Sequence, residues 1–423
     1  ALARQPAEPT QRDGRRMLLS HIDGDGFSNF SGVAAGQRSA EIVRDRILKK
    51  YPLPVTVSVI EAEIRGLIRT QRADDATALE TIAREIFALP HVELASHTFS
   101  HPFYWIEGDR TASFYDEQIL DLKSPYVKLD LEREIAGSVR CINETLAPPG
   151  RPVRVFLWSG NCRPPPEGIA ITRRLGLENV NGGDTIISPR NRTLTMVAPR
   201  GVTWGDEFQV FAPNQNENVY TNNWRGPLFG TFSQVIDTFG LTEKPRRLKP
   251  VNIYYHFYSA DYPASLRALE TIHDWAMSQP LHAVTLSHYA RMVRDARTTA
   301  VFAAGPERWH VVNRGDSRTL RLPAALARRI DLARSPGVTG WAEEGDQAFV
   351  HTDGSPLVTL ALGAQPVAVA PRLESSSGEI TFRTRTAARW TLAVKDLRPI
   401  ELVVAGLPPA AAVRATINGD TSA

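Results

Sequence analysis

The feature that most constrains this chain is an alternation: from Met17 to about Thr298, short apolar runs of strand character each hand over to a stretch with helical spacing. Met17-Leu18-Leu19-Ser20-His21-Ile22 reads as a buried strand, and Ile42, Val43, Ile47 and Leu48 recur at the period of a helix that ends at Tyr51-Pro52. Val55 to Ile60 is a second strand, and a helix with Leu79, Ile82, Ala83, Ile86 and Phe87 inward delivers a third, Val92 to Ala95. A helix through Leu131, Ile135, Val139 and Ile142 stops at Pro148-Pro149-Gly150, before the strand Val153 to Trp158. The stretch from Pro164 to Lys249, rich in Gly, Pro and Asn, is expected to hold short strands and long loops. The pattern resumes with a strand at Val251 to Tyr255, a helix through Leu266, Leu269, Ile272 and Trp275, a strand at Ala283 to Thr285, and a helix capped by Ser287. Strands that alternate with helices pack as a parallel sheet with helices outside, so the expected class is α/β, an open sheet or a distorted barrel.

Beyond Thr298 the period changes to that of short alternating strands: Trp309 to Asn313, Arg318 to Leu322, Ala348 to Thr352, Glu379 to Thr384, Arg389 to Val394 and Glu401 to Val404. An antiparallel β-sandwich over residues 299–423 is expected, after a catalytic domain at 16–298 and a polar leader or linker at 1–15. A chain of 423 residues is long enough for two such domains. Lys and Arg number 49 against 46 Asp and Glu, and a formal charge of +3 gives no footprint for nucleic acid or an anionic membrane. A neutral or weakly charged substrate fits better. No run is apolar enough for a membrane span, and the start, Ala1-Leu2-Ala3-Arg4, has no signal-like regions, so a soluble, processed or excised chain is expected. Two cysteines, Cys141 and Cys162, exclude a disulfide-built scaffold and leave one bridge or two free thiols open.

Chemistry concentrates at strand ends, where parallel sheets gather functional loops. Asp23-Gly24-Asp25-Gly26 follows the first strand, and Ser96-His97-Thr98-Phe99-Ser100-His101-Pro102 follows the third. If His97 opens a helical turn, His101 lies on the same face one turn later, and both imidazoles reach one ion. A carboxylate with two neutral imidazoles suits Zn2+, or Co2+ or Ni2+, with positions left for water and substrate. The plainer reading is that the histidines cap a loop; coupling to Asp-x-Asp weighs against it.

A strand, an Asp-bearing loop and then His-Thr-Phe-Ser-His resembles the first two motifs of the NodB-type polysaccharide deacetylases. Ile22-Asp23-Gly24-Asp25-Gly26-Phe27, with a β-module after the catalytic domain, is most similar to the divergent branch of the Pel-polysaccharide and fungal galactosaminogalactan deacetylases. The resemblance spans roughly residues 15 to 300 and implies a distorted (β/α) barrel of the polysaccharide deacetylase type. It also implies Asp25, His97 and His101 as metal ligands and Asp23 as general base, removing N-acetyl groups from an N-acetylgalactosamine- or N-acetylglucosamine-type exopolysaccharide. A periplasmic or secreted setting, and exopolysaccharide export proteins as partners, follow from the same resemblance. Common members have two adjacent carboxylates; Gly24 separates them here, so the roles of Asp23 and Asp25 are open to exchange.

His256 stands where the family keeps its acid histidine, yet Tyr254-Tyr255-His256-Phe257-Tyr258 departs from the usual motif and suits a structural histidine equally. Arg163, after Ser159-Gly160-Asn161-Cys162, resembles the third motif's arginine, which orients the base carboxylate; a surface arginine before prolines is the alternative. Asp184, in Asn181-Gly182-Gly183-Asp184, stands in the place of the fourth motif. Aromatic faces stack on sugar rings, which nominates Tyr104 beside Phe103 and Trp105, and Tyr220 and Trp224 in the Asn-rich loop. Trp309, Trp341 and Trp390 suit packing better than binding.

Two rivals use the same residues. Haloacid-dehalogenase phosphatases open with Asp-x-Asp, which would make Asp23 a nucleophile beside magnesium, but that class wants Thr or Val where Phe27 stands and has no use for His97 with His101. The other rival is a catalytically inactive polysaccharide-binding protein.

Overall fold

The computed structural model describes residues 7–72, 74–106, 122–123, 128–366, 370–386, 389–407, 414–417 and 420–422. Two units divide it: residues 16–294, and residues 1–15 together with 295–423.

The first unit is built on a curled parallel sheet. Its strands are β1 (Arg15–Asp23), β2 (Val55–Val59), β3 (Val92–Ser96), β4 (Val155–Leu157), β5 (Glu178–Val180), β6 (Val251–His256) and β7 (His282–Ala283). β1 pairs with β6 along most of its length, with β7 near its start and with β2 near its end, and β2 through β5 follow in order. Side chains alternate across each strand. Leu18 and Ile22 of β1 therefore pack outward with the helices, while Met17 and Leu19 pack inward with Val155, Leu157, Val180 and Tyr289. The same period puts Asp23 on the inner face, and register sets it opposite His256 of β6.

Outer helices form where the apolar period is 3.6. Asp75–Ala88 buries Leu79, Ile82, Ala83, Ile86 and Phe87, a stripe that includes i, i+3, i+4 and i+7. Each fully buried large side chain of that kind contributes roughly 1.5–3 kcal/mol. The Pro-rich region departs from expectation, because Pro166–Arg174 is a helix. Pro166 takes its first turn, where a missing N–H costs nothing, and Ile169 and Ile171 are buried.

In the second unit, Ala300–Gly305, Arg308–Val312 and Leu357–Ala361 form one sheet. A second runs Thr319–Pro323, Gln347–Thr352, Val338–Glu344, Arg372–Ser376 and Leu402–Ala405. Val311, Val358 and Leu360 of one share a hydrophobic cluster with Leu320, Leu322, Val338, Trp341 and Val350 of the other. One pairing, Val338–Glu344 with Arg372–Ser376, is parallel where an antiparallel module was expected; Gly340 allows it, since a Cβ there would stand 2.0 Å from the Leu373 carbonyl oxygen. Residues 7–15 of the leader belong to this unit: Ala7 bridges to Leu320, the Glu8 N–H donates to the Thr319 carbonyl (2.8 Å), and buried Arg12 pairs with Glu379 (3.1 Å). Trp341 is buried beneath Arg372, and Trp390 packs edge-on against Phe382.

Candidate metal centre

The cleft lies at the carboxyl ends of β1, β3 and β6. Asp25 stands two residues beyond β1, past Gly24, where a Cβ would press within 2.8 Å of the Ile60 backbone nitrogen. His97 follows β3, its N–H donating to the Val59 carbonyl (2.9 Å). Its ring Nδ1 lies 3.0 Å from the Leu157 carbonyl oxygen. A carbonyl only accepts, so Nδ1 carries a proton and Nε2 is the ring nitrogen left to face the cleft.

That Nε2 stands 3.2 Å from the buried Oδ2 of Asp25. His101 brings its Nε2 to 3.0 Å from Asp25 Oδ1, and the donor atoms of Asp25, His97 and His101 all lie within 4.8 Å of one another. Burial opposes the Asp25 charge, yet the neighbouring His101 and His97 rings hold its pKa well below the usual carboxylate range. Burial likewise lowers the His101 pKa, and the Asp25 charge outweighs it. The donor set fits zinc or a similar ion: one carboxylate, two imidazoles, and the remote nitrogen of His97 fixed by a backbone carbonyl.

The two histidines do not share a helical turn. Thr98 and His101 have φ of 76° and 58°, and the loop doubles back so that the rings meet with centroids 5.0 Å apart. Thr98 Oγ1 accepts the His101 N–H (2.8 Å), which fixes that reversal.

Asp23 is buried beside the cluster. Tyr254 donates its hydroxyl to Oδ2 (2.7 Å), and Asn181 Nδ2 donates to Oδ2 (3.0 Å) and Oδ1 (3.2 Å). The imidazoles of His97 and His256 each stand 3.8 Å from Oδ2. Arg163 does not hold this carboxylate; its guanidinium lies 6.0 Å from the Trp204 ring centroid. Its hydrogen bonds come instead from Asn181, just beyond β5 with φ 97°, and from Tyr254 of β6.

His256 Nδ1 lies 3.1 Å from Glu217 Oε1, which also accepts the His256 N–H and the Ser259 hydroxyl, both at 2.8 Å. Burial alone would lower the His256 pKa; Glu217 and the two aspartates raise it to about 9. Its Nε2 faces Asp23 and Asp25, at 3.8 and 3.9 Å.

The remaining expected binders divide. Trp224 lines the cleft with Phe103, Trp158, Tyr258, Asn216, Asn218 and Asn223. Tyr220 does not: it packs on Phe232, and its hydroxyl meets Thr238 Oγ1 (2.8 Å), so the polar neighbours that nominated it in the sequence were misleading. Tyr104 stands edge-on behind Phe103, which reaches the cleft in its place. Asp184 is exposed and takes a hydrogen bond from Gln215, outside the cleft lining. Cys141 and Cys162 are both free, and Cys162 lines the cleft with its pKa pushed well up by burial and by Asp23.

Sequence reasoning passed over Glu217, Asn181 and Tyr254. Tyr254 was legible, since it shares a strand face with His256 two residues on; Glu217 sits in an irregular stretch with no periodic signal.

No family profile and no curated protein matches the chain. Solved structures do match. A 4-alpha-glucanotransferase from Thermococcus litoralis is 14% identical, over 64% of this chain and 38% of its own, with a TM-score of 0.37. A GH57-type branching enzyme from the hyperthermophilic archaeon Pyrococcus horikoshii is 8% identical, over 66% and 70%, also at 0.37. Endo-glycoceramidase II from Rhodococcus sp. is 10% identical, over 84% and 99%, at 0.28. This chain spans little more than a third of the glucanotransferase. By name these enzymes belong to glycosidic-bond chemistry and not to deacetylation, and the expectation of N-acetyl hydrolysis on an aminosugar polysaccharide is corrected on that finding. The physical reason for the misreading is that a carboxylate and imidazole cluster serves any bond whose oxygen a cation can polarise, so the motif carried no information about the bond.

Proposed function

We infer that the cleft is the centre of a metal-dependent hydrolase acting on a carbohydrate. The observation that carries this reading is the convergence of one carboxylate and two imidazoles, with His97 Nε2 3.2 Å and His101 Nε2 3.0 Å from the two Asp25 oxygens. When bound there, a divalent ion supplies Lewis acidity, polarising a substrate oxygen and lowering the pKa of nearby water. Asp23, oriented by Asn181 and Tyr254, accepts the proton that water gives up. His256, kept charged by Glu217, donates a proton to the leaving group.

The walls support a sugar. Trp224 and Tyr258 offer faces for the C–H side of a pyranose, and Asn216, Asn218 and Asn223 offer amides for hydroxyls. The cavity of about 180 Å³ is smaller than the ~300 Å³ that encloses a whole drug-sized ligand, so it admits one group of a larger molecule. A second reading, glycosidic cleavage without an ion, is favoured by His256 standing within 3.9 Å of both Asp23 and Asp25, where it can donate the leaving-group proton while a carboxylate acts opposite it.

The test is incubation of the zinc-loaded protein with soluble oligo- and polysaccharides, reading new reducing ends and released acid. Turnover suppressed by chelator and by His97→Ala is expected. Turnover that survives both would overturn the metal reading and leave the carboxylate pair to carry the chemistry.

A further inference from the structure

The loops that carry the metal-site residues are each tied from behind by a buried glutamate. Glu134, wholly buried, accepts the backbone N–H groups of Phe99 (3.0 Å) and Ser100 (2.9 Å) on Oε2 and the Ser100 hydroxyl on Oε1. Those two amides lie between His97 and His101, in the stretch whose left-handed residues turn one imidazole back toward the other. Glu63, 3% exposed, accepts the Ser28 N–H (2.8 Å) and the Ser28 hydroxyl (2.6 Å) on Oε1, three residues beyond Asp25.

The pattern is the same in both places: a carboxylate taken out of water and supplied with amide and hydroxyl donors from one loop. Burying a carboxylate is costly unless it is hydrogen-bonded, and each of these two takes its donors from a single loop. What the carboxylate adds is a fixed loop position. Around Glu134, Arg133 reinforces the arrangement by stacking 3.6 Å over Phe99 while pairing at 2.7 Å with buried Glu61.

We propose that Glu134 and Glu63 are positioning residues for the metal centre, holding the His97–His101 and Asp25 loops in the ligating geometry before any ion arrives. The inference rests on the metal reading above. A flexible loop would have to be ordered by the ion itself, and ligand-orienting partners of this kind are typically worth 10–100-fold in metal affinity.

The experiment is zinc titration by chelator competition on the full chain, with the visible spectrum of the Co2+-substituted protein and the melting temperature recorded alongside. Glu134→Gln and Glu63→Gln are compared with Glu93→Gln. Glu93 serves the fold in the same way at the opposite end of β3, accepting Thr56 Oγ1 (2.8 Å) and the Ser287 N–H (3.1 Å). Expected are 10–100-fold weaker zinc binding and an altered Co2+ spectrum in the first two variants, with Glu93→Gln losing melting temperature but not affinity. Equal zinc affinity and an unchanged spectrum in Glu134→Gln and Glu63→Gln would overturn the positioning roles while leaving the metal centre standing. Equal weakening in Glu93→Gln would reduce them to general stability. Failure of the parent protein to take zinc or cobalt would overturn the metal reading and this inference with it.

Discussion

A buried histidine charge is sustained only by what faces it. His256 keeps its proton because Glu217, itself buried, lies 3.1 Å from Nδ1, and the result is a pKa moved from 6.5 to about 9. The sign follows from linkage: a folded-state pKa above the unfolded value gives stability that is fully present below pH 6.5 and disappears as pH rises through 9. For the metal-free protein we expect urea unfolding to show a loss of up to roughly 3 kcal/mol between pH 6 and pH 9.5. Glu217→Gln should flatten that profile, and an equally steep one in the variant would show that another group is responsible. Asp25 and the two histidines were legible as residues because their spacing from strand ends was legible. Their loop conformation was not, since nothing in His-Thr-Phe-Ser-His announces left-handed Thr98 and His101.

Elements were readable in proportion to how one-sided their burial is. Asp75–Ala88 shows its period because one face meets the sheet and the other meets water, and Phe87→Ala should cost the first unit about 3–5 kcal/mol in denaturant unfolding. A cost under 1 kcal/mol would mean that this face is not the core contact. Val338–Glu344 was missed because Gly337 and Gly340 interrupt its apolar alternation and Glu343-Glu344 ends it on charge, although Val338 and Trp341 are buried. Pro166–Arg174 was missed because three successive prolines read as a break, when the last of them begins the helix. On the neighbouring strand Gln347–Thr352, His351 is fully buried, and its Nε2 lies 3.0 Å from the Glu374 carbonyl oxygen. Burial lowers its pKa to about 4, so it folds neutral and opposes acid. Stability of the second unit is expected to be full above pH 6.5 and to fall progressively as pH drops to 4. Thermal unfolding across that window checks it, and a melting profile in His351→Gln as acid-sensitive as the parent's would contradict it.

At the scale of the whole molecule, the sequence showed the change of period near residue 298 and the structure divides the chain at residue 294, but the leader's place was invisible. Residues 7–13 carry no repeated apolar pattern, and what fixes them is backbone pairing with Leu320 and Thr319 and the Arg12 ion pair. Deletion of residues 1–12 should therefore lower the melting transition of the second unit while zinc affinity in the first is unchanged. Loss of zinc binding with both transitions intact would contradict that assignment. Arg12 donates to the carbonyl of Asp316, 304 positions along the chain. At ordinary synthesis rates of roughly 5–20 residues per second, about 15–60 s separate the two on the ribosome. The contiguous first unit can close during that interval. Residues 8–12, with Arg12 and their backbone amides, wait through it for partners not yet made, and stay open to a nascent-chain chaperone or protease until Asp316 and Thr319 emerge.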